Sequence, residues 1–339
     1  MGLTPVRVRG KRKAASARPP KALREQRQHP AKKSKRSLST VMATRGSKYR
    51  PNLDTLPTEI LEIILFYSSN LSLPRSSPSI GLRLSNRATL IRLLFWAFHE
   101  TWHQWFGLPA SKCSTPRPQV PTMQGTDCKG DYGLQTAMLK QPWATIDMIL
   151  QAQQSWAKRY AHDRCYQHSV PWVDKPDELG HSQYGDPSHF DAQECFNIDF
   201  KQALKWGPFE FESAPWGGQD IHPLTRIPER LITGPWSEEQ RRRLFWLARG
   251  GLVVGHDEFY MPPWETKLEL LRNAVLDVTQ PDLIAINCLM GRWVFQGLPG
   301  DVVRLELSNI DKRLKWGDDT DIMKRILRWT KDALWVSAG

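Results

Sequence analysis

Residues 53–67 read Leu-Asp-Thr-Leu-Pro-Thr-Glu-Ile-Leu-Glu-Ile-Ile-Leu-Phe-Tyr and open the part of the chain that can build a hydrophobic core. Pro57 suits the first position of a helix, where its missing N–H costs nothing, and Glu59 complements the positive end of the helix dipole. Helical spacing gives the segment two apolar faces. One consists of Ile60, Ile64 and Tyr67, and the adjacent one of Leu61 and Leu65. A short helix this apolar must be covered on two sides. Its own domain can cover one side, and a partner is a candidate for the other.

Charge divides the 339-residue chain into two parts. Residues 1–50 hold 16 of the 47 Lys and Arg residues and one of the 35 acidic residues, so their net charge is +15. The rest of the chain has a net charge of −3. A slightly acidic body argues against a basic nucleic-acid groove across the whole fold, and we expect no specific nucleic-acid partner.

The basic segment lacks apolar periodicity and is rich in Lys, Arg, Pro and Ser, a composition that predicts a disordered tail. One of its clusters consists of Lys32, Lys33, Lys35 and Arg36. This cluster fits a short nuclear-import signal, because consecutive basic side chains can enter acidic pockets on an import carrier. It favours a nuclear over a cytoplasmic location. A mitochondrial presequence and a tail that only solvates the protein or binds nucleic acid non-specifically are the alternatives.

The start of the folded part resembles an F-box, whose pattern is Leu-Pro-x-Glu-Ile/Leu-Leu-x-x-Ile. The matching residues are Leu56, Pro57, Glu59, Ile60, Leu61 and Ile64, followed by Tyr67. The resemblance implies that they bind the Skp-type linker of a cullin–RING ubiquitin ligase, while the rest of the chain recognises a substrate protein. Residues 73–84 depart from the pattern, since they lack its Val-Cys…Trp ending. The alternative is a well-capped core helix.

Two further segments make the chain resemble a group of fungal F-box-domain proteins. They are residues 134–160, which end in Trp-Ala-Lys-Arg-Tyr, and residues 227–236, which read Ile-Pro-Glu-Arg-Leu-Ile-Thr-Gly-Pro-Trp. The resemblance covers most of residues 53–250. It implies a binding protein that does no chemistry itself.

A literal His-Glu-x-x-His motif lies in a helix predicted over residues 86–106. His99 and His103 share a helix face and could hold zinc, while Glu100 could activate a water molecule. However, Phe106 stands where the extended zinc-protease motif has glycine, and several Trp and Phe residues flank the motif. We therefore predict a packed amphipathic helix with no metal, no cofactor and no catalytic residue. A zinc hydrolase is the alternative from a different functional class.

Cysteine and histidine offer a second, looser metal candidate. It comprises His162, Cys165 and His168, with His181 and His189 further along the chain. The chain has five Cys and no Cys-x-x-Cys pair, so we expect reduced, mostly buried thiols in an intracellular protein. The longest apolar run, residues 90–98, is far shorter than a bilayer requires, and we expect no membrane partner.

Proline and tryptophan mark the middle of the chain. Of five Pro-Trp steps, those at Pro142, Pro235 and Pro263 precede predicted helices. The polar loops over residues 173–187 and 212–223 predict a substrate-contact surface, because long loops are uncommon in compact domains unless functional or mobile. We expect most of the 15 Trp residues in the core, with an aromatic binding surface as the alternative.

Residues 236–339 contain a succession of short helical patterns. Ser237 and Gln240 form a capping-box motif, and Gly250 with Gly251 ends the helix that follows. Further helices are predicted over residues 266–277, 281–291, 302–314 and 320–335, and the basic run at 241–243 is expected on a solvated face. The helices resemble degenerate ankyrin repeats, with a non-repeat bundle as the alternative.

These patterns predict a mainly α protein in four regions. They are a disordered basic tail (1–50), an F-box-like helical segment (51–110), a Pro/Trp-rich region of helices and loops (111–235) and ankyrin-like or bundle helix pairs (236–339). We expect an F-box-type substrate receptor that links an unknown target to a cullin–RING ligase. The nearest alternative is an interaction scaffold of the same fold that does not assemble a ligase.

Overall fold

The computed structural model describes residues 52–106, 108–109, 128–162, 164–165, 190–209, 220–251, 261–317 and 319–338. The predicted disordered tail and import signal lie outside the described residues, as do residues 173–187 and most of 212–223. The described part is mainly helical, which confirms the predicted fold class.

Twelve α-helices make up most of the described part. They are α1 (Thr58–Ser68), α2 (Pro78–Leu84), α3 (Arg87–Trp105), α4 (Tyr132–Leu139), α5 (Ile146–Tyr160), α6 (Ala192–Ala203), α7 (Glu229–Thr233), α8 (Glu238–Arg249), α9 (Trp264–Leu271), α10 (Leu283–Leu289), α11 (Gly300–Trp316) and α12 (Asp321–Ala338). Short 3₁₀ turns occur at Leu53–Thr55, Leu73–Arg75 and Arg292–Val294, and a π-helical turn, Arg272–Leu276, extends α9. Two two-residue strands, β1 (Leu108–Pro109) and β2 (Arg164–Cys165), pair antiparallel.

Side-chain caps start several of these helices. The predicted capping box is present at α8, where Ser237 accepts from the backbone N–H of Gln240 and Gln240 accepts from that of Ser237. The cap of α3 is Asn86, the first residue of the helix predicted over residues 86–106. Asn86 has the extended backbone that a cap requires, and its side chain accepts from the backbone N–H of Thr89.

The hydrophobic core is built around the packing of α3 on α5. Trp102 of α3 and Trp156 of α5 are both fully buried, and their ring centroids lie 6.0 Å apart. The indole N–H of Trp102 donates to the backbone carbonyl of Asp220 (2.9 Å), so a distant loop is bound to the same centre. Tryptophan is not confined to the core, however. Trp96, Trp316 and Trp335 are at least half exposed, so the expectation of mainly buried Trp holds only in part.

A buried amide holds this centre together. The Gln135 side chain of α4 donates to the Ala97 carbonyl and the Thr101 hydroxyl of α3. Its oxygen accepts from the backbone N–H of His222 (3.0 Å) and from the Thr225 hydroxyl (3.1 Å). Because all of its hydrogen-bonding groups are used, this polar group can be fully buried without a large desolvation cost.

A buried charge cluster joins α6 to α8. Arg249 forms an ion pair with Asp199 (2.6 Å), and both side chains are almost completely buried. The buried Asp220 carboxyl lies in the same surroundings, so one guanidinium serves two carboxyl groups. Burial raises the pKa of Asp220, and Arg249 opposes part of that rise. Burial also raises the pKa of the Cys195 thiol to about 12, so this cysteine is a thiol rather than a reactive thiolate.

The basic run at 241–243 is not the solvated face that the sequence predicts. All three side chains are half-buried. Arg243 donates to the Leu139 carbonyl at the end of α4, and the Arg242 guanidinium lies 4.9 Å from the centre of the Phe196 ring. These arginines bind α8 to its neighbours because their long apolar stems pack while their charged ends find acceptors or an aromatic face.

The C-terminal helices pack with α8 on α10, α7 on α9 and α11 on α12. Arg313 of α11 binds the end of the π turn by donating to the carbonyls of Val275 and Leu276, and it pairs with Asp319 (2.6 Å). The ankyrin-like and bundle interpretations both remain predictions. Among the described helices, none is both long and apolar enough to cross a membrane.

The Asp220→Asn variant tests the buried charge cluster. Since the folded-state pKa of Asp220 lies above its unfolded value of about 4, the stability it contributes is present below that value and lost as the pH rises through the folded-state pKa. We expect the variant to exceed the wild type in unfolding free energy at about pH 8, with the difference vanishing near about pH 4. Denaturant titrations followed by tryptophan fluorescence measure this. Asp147→Asn, at an exposed position in α5, should show no such gain, and parallel pH profiles for wild type and Asp220→Asn would contradict the expectation.

Candidate protein-binding site

The segment that leads into α1 is held in place by α2. Arg83 donates to the Thr58 hydroxyl (3.1 Å) and to the carbonyls of Asp54 (3.2 Å) and Leu56. The Ser77 hydroxyl also donates to the Asp54 carboxylate (2.6 Å). These bonds fix the Leu-Pro turn at the start of the F-box-like motif before any partner is bound.

The inner face of α1 belongs to the core. Leu61 and Leu65 are 0% exposed. Beside them the mostly buried Glu62 carboxylate accepts from Arg92 (2.6 Å) and from the Thr89 hydroxyl, both of α3. The inner face is therefore locked onto α3 by packing and by a charge-assisted hydrogen bond.

The outer face of α1 is apolar and uncovered. Ile60, Ile63 and Tyr67 follow one another at helical spacing and are 42%, 49% and 83% exposed. The Tyr67 ring meets the half-exposed Trp96 of α3 at a centroid distance of 6.4 Å. Scattered apolar residues on a surface are ordinary, but a row of large ones on a rigid helix marks an interaction surface.

The six residues of the F-box-like motif divide between the two faces. Pro57, Glu59 and Ile60 are exposed, and Leu56 and Ile64 are half-buried against the core. Leu61 is completely buried, so it supports the helix from within and has no surface to offer a linker.

Two residues of this surface were not singled out from the sequence. Ile63 stands three residues after Ile60, a spacing that could have placed it on the same face. Trp96 could not have been found this way, since its position beside Tyr67 arises only when α3 packs on α1. Trp96 is one of the aromatic residues that flank the His-Glu-x-x-His motif and that we expected to pack, but it is 50% exposed.

The His-Glu-x-x-His motif is used for packing. The Trp156 indole N–H donates to Nδ1 of His99 (3.0 Å), and burial lowers the pKa of His99, which favours the neutral ring. A neutral imidazole that accepts at Nδ1 carries its proton on Nε2, so Nε2 is a donor and not a metal ligand. The His103 ring stacks on His99 at 5.9 Å, and Glu100 is exposed. This arrangement gives no support to the zinc hydrolase alternative.

The second metal candidate, which begins at His162 and Cys165, lies only partly within the described residues. Within the described residues, no three His, Cys, Asp or Glu side chains come together as a possible metal site. His168, His181 and His189 lie outside the described residues. The loops expected to contact a substrate also lie largely outside them.

Comparison with known proteins adds no relative. No protein-family model matches the chain, and no curated protein or solved structure matches it either.

Truncating two adjacent residues of α1 should change the unfolding free energy by very different amounts. Leu61→Ala opens a cavity in the core and should lower the unfolding free energy by about 2–5 kcal/mol. Ile60→Ala removes an exposed side chain and should change it by less than about 1 kcal/mol. Urea unfolding of the two variants gives both values. Similar losses in the two would mean that the outer face of α1 is covered within the protein itself.

Proposed function

We propose that this protein is an F-box-type substrate receptor, which binds the Skp-type linker of a cullin–RING ubiquitin ligase through the outer face of α1. The observation that carries the proposal is the uncovered row of Ile60, Ile63 and Tyr67 on the helix that contains the F-box-like motif. The motif is identified from the sequence and the exposure is measured in the structure. These two independent observations point to the same helix.

The composition of the outer face suits a stable protein partner. Complete burial of an aliphatic side chain contributes about 1.5–3 kcal/mol, so covering these half-exposed residues supplies several kcal/mol towards association. Tyr67 and Trp96 add aromatic surface, the residue type enriched in the central contacts of interfaces. Glu62, which lies between Ile60 and Ile63 in the sequence, is buried and paired with Arg92, so binding at the outer face does not have to desolvate this carboxylate.

The rigidity of α1 supports the same role. The helix is bound to α3 by the Glu62–Arg92 pair and to α2 by Arg83. A partner therefore meets a surface that is already ordered, so little conformational entropy is lost on binding. In this role the protein does no chemistry. It holds a substrate close to the transferring enzyme and so raises the effective concentration of the substrate.

The second candidate is an interaction scaffold that has lost ligase assembly. It uses the same outer face of α1 for another protein. The departure of residues 73–84 from the F-box pattern favours this alternative, because the expected ending of the motif is missing. Binding of a purified Skp-type linker separates the two candidates.

The linker test uses purified chain and purified Skp-type linker. We expect the wild type to bind it and the Ile60→Asp/Ile63→Asp double variant to bind more than about tenfold more weakly, because burying two carboxylates is costly. Isothermal titration calorimetry measures the affinities. Leu305→Asp is the matched control, since Leu305 is 55% exposed on α11, and it should bind like the wild type. If the wild-type chain does not bind the linker, the receptor proposal is wrong and the interaction scaffold is the remaining candidate.

We also propose that the basic segment directs the protein to the nucleus. The signal comprises Lys32, Lys33, Lys35 and Arg36. Replacing these four residues by Ala should move a fluorescently tagged chain from the nucleus to the cytoplasm, because the import carrier loses its charged contacts. Replacing Lys11, Arg12, Lys13 and Arg18 controls for the loss of four positive charges elsewhere in the segment. Unchanged nuclear fluorescence in the first variant refutes this role.

A further inference from the structure

The last helix, α12, has a second uncovered face. Its inner side is fully buried through Ile326, Leu327, Thr330 and Leu334. Its outer side has apolar residues at both ends, because Ile322 is 49%, Trp335 71% and Val336 80% exposed. In the sequence, Ile322 begins a helical stripe with Ile326, Leu327, Thr330 and Leu334, but in the structure it lies outside the buried side, and Met323 is the residue of the first turn that enters the core.

Charged residues occupy the middle of this outer face. Arg325 and Asp332 are both exposed, and within the described part of the chain neither makes an ion pair or a hydrogen bond. They are seven residues apart, which is about 10.5 Å along the helix axis, too far to pair with each other. By contrast, the neighbouring Lys331 is paired with Asp311 of α11 (2.6 Å).

The spacing of this face is that of a helix-pairing seam. Residues 322, 325, 329, 332 and 336 alternate steps of three and four, the repeat that keeps one side of a helix facing a partner helix. Trp329 stands at the centre of the row. It is half-buried, and its ring stacks on Phe209 (centroids 3.9 Å apart), so its position is fixed from within the protein.

The row is complementary to itself when reversed. In an antiparallel pair of α12 helices centred on Trp329, Ile322 lies opposite Val336 of the other copy. Arg325 lies opposite position 333, one residue (about 1.5 Å along the axis) from Asp332, and its long side chain reaches that carboxylate. Apolar ends thus face apolar ends, and each unpaired charge faces one of opposite sign. This is the property of a twofold interface, in which the same surface serves both partners.

We infer that α12 mediates self-association, with the α12 helix of a second copy of this chain as the occupant of its outer face. A single pair of helices buries less surface than a typical stable complex. The dimer is therefore weak, reversible and dependent on concentration. The inference does not depend on the proposed receptor function. If that function holds, a dimer presents two α1 surfaces and two substrate sites, which increases avidity for multivalent targets.

Charge reversal tests the pairing. Sedimentation velocity of the purified full-length chain should show a monomer–dimer equilibrium. Arg325→Asp and Asp332→Arg should each weaken the dimer by about tenfold or more, because each places two like-charge pairs across the interface. The double variant Arg325→Asp/Asp332→Arg should regain the wild-type dimer, since both pairs become attractive again. Leu305→Asp, which changes an exposed apolar residue of α11, should dimerise like the wild type.

Three outcomes overturn the inference. The first is a wild-type chain that stays monomeric at every concentration reached. The second is a dimer that neither single reversal weakens, which would place the contact elsewhere. The third is a double variant that stays as weak as the single ones. Circular dichroism of each variant checks that the helices remain folded, which their exposed positions lead us to expect. Linker binding is measured separately, so failure of self-association and failure of the receptor proposal are distinguishable.

Discussion

Two buried indoles, Trp102 and Trp156, lie where α3 packs on α5, and much of the described structure is arranged by them. Such rings remove a large apolar area from water, but each also has an N–H that must find an acceptor once it is buried. Trp102 finds the carbonyl of Asp220 and Trp156 finds the imidazole of His99. Burying the two rings therefore also determines where a distant loop lies and which tautomer a histidine adopts. The second consequence places His99, the first histidine of the His-Glu-x-x-His motif, in a packing contact.

The position of α1 follows from the same centre. One side of α3 packs on α5, and another side receives α1 through Leu61, Leu65 and the Glu62–Arg92 pair. Only one face of α1 can be covered in this way, although the helix has a second apolar face. The remaining face stays in solvent on a helix that is firmly held. A candidate binding surface thus arises because the helix has more apolar residues than its own core can cover.

The same excess occurs in α12, but the chemistry of the two surfaces differs. On α1 the exposed row is apolar and continues into an aromatic pair, Tyr67 and Trp96, which suits a partner with its own apolar pocket. On α12 the apolar ends enclose Arg325 and Asp332, whose order makes the face complementary to itself. The two surfaces therefore differ in charge. Apolar contact alone discriminates poorly between partners, whereas exposed charges favour a partner with opposite charges at the facing positions.

What the sequence alone determined is local. The mainly α class, the capping box before α8, the two-faced character of residues 53–67 and most of the helices follow from caps, breakers and periodicity, which act within a few residues. The tertiary structure decided which of two adjacent apolar residues, Ile60 or Leu61, faces solvent. It also decided that Trp96 lies at the surface and that Arg243 donates to a carbonyl 104 residues away in the chain. These outcomes depend on which elements meet in space. Periodicity shows that a helix has an apolar face, but only packing against a particular neighbour decides whether that face is covered.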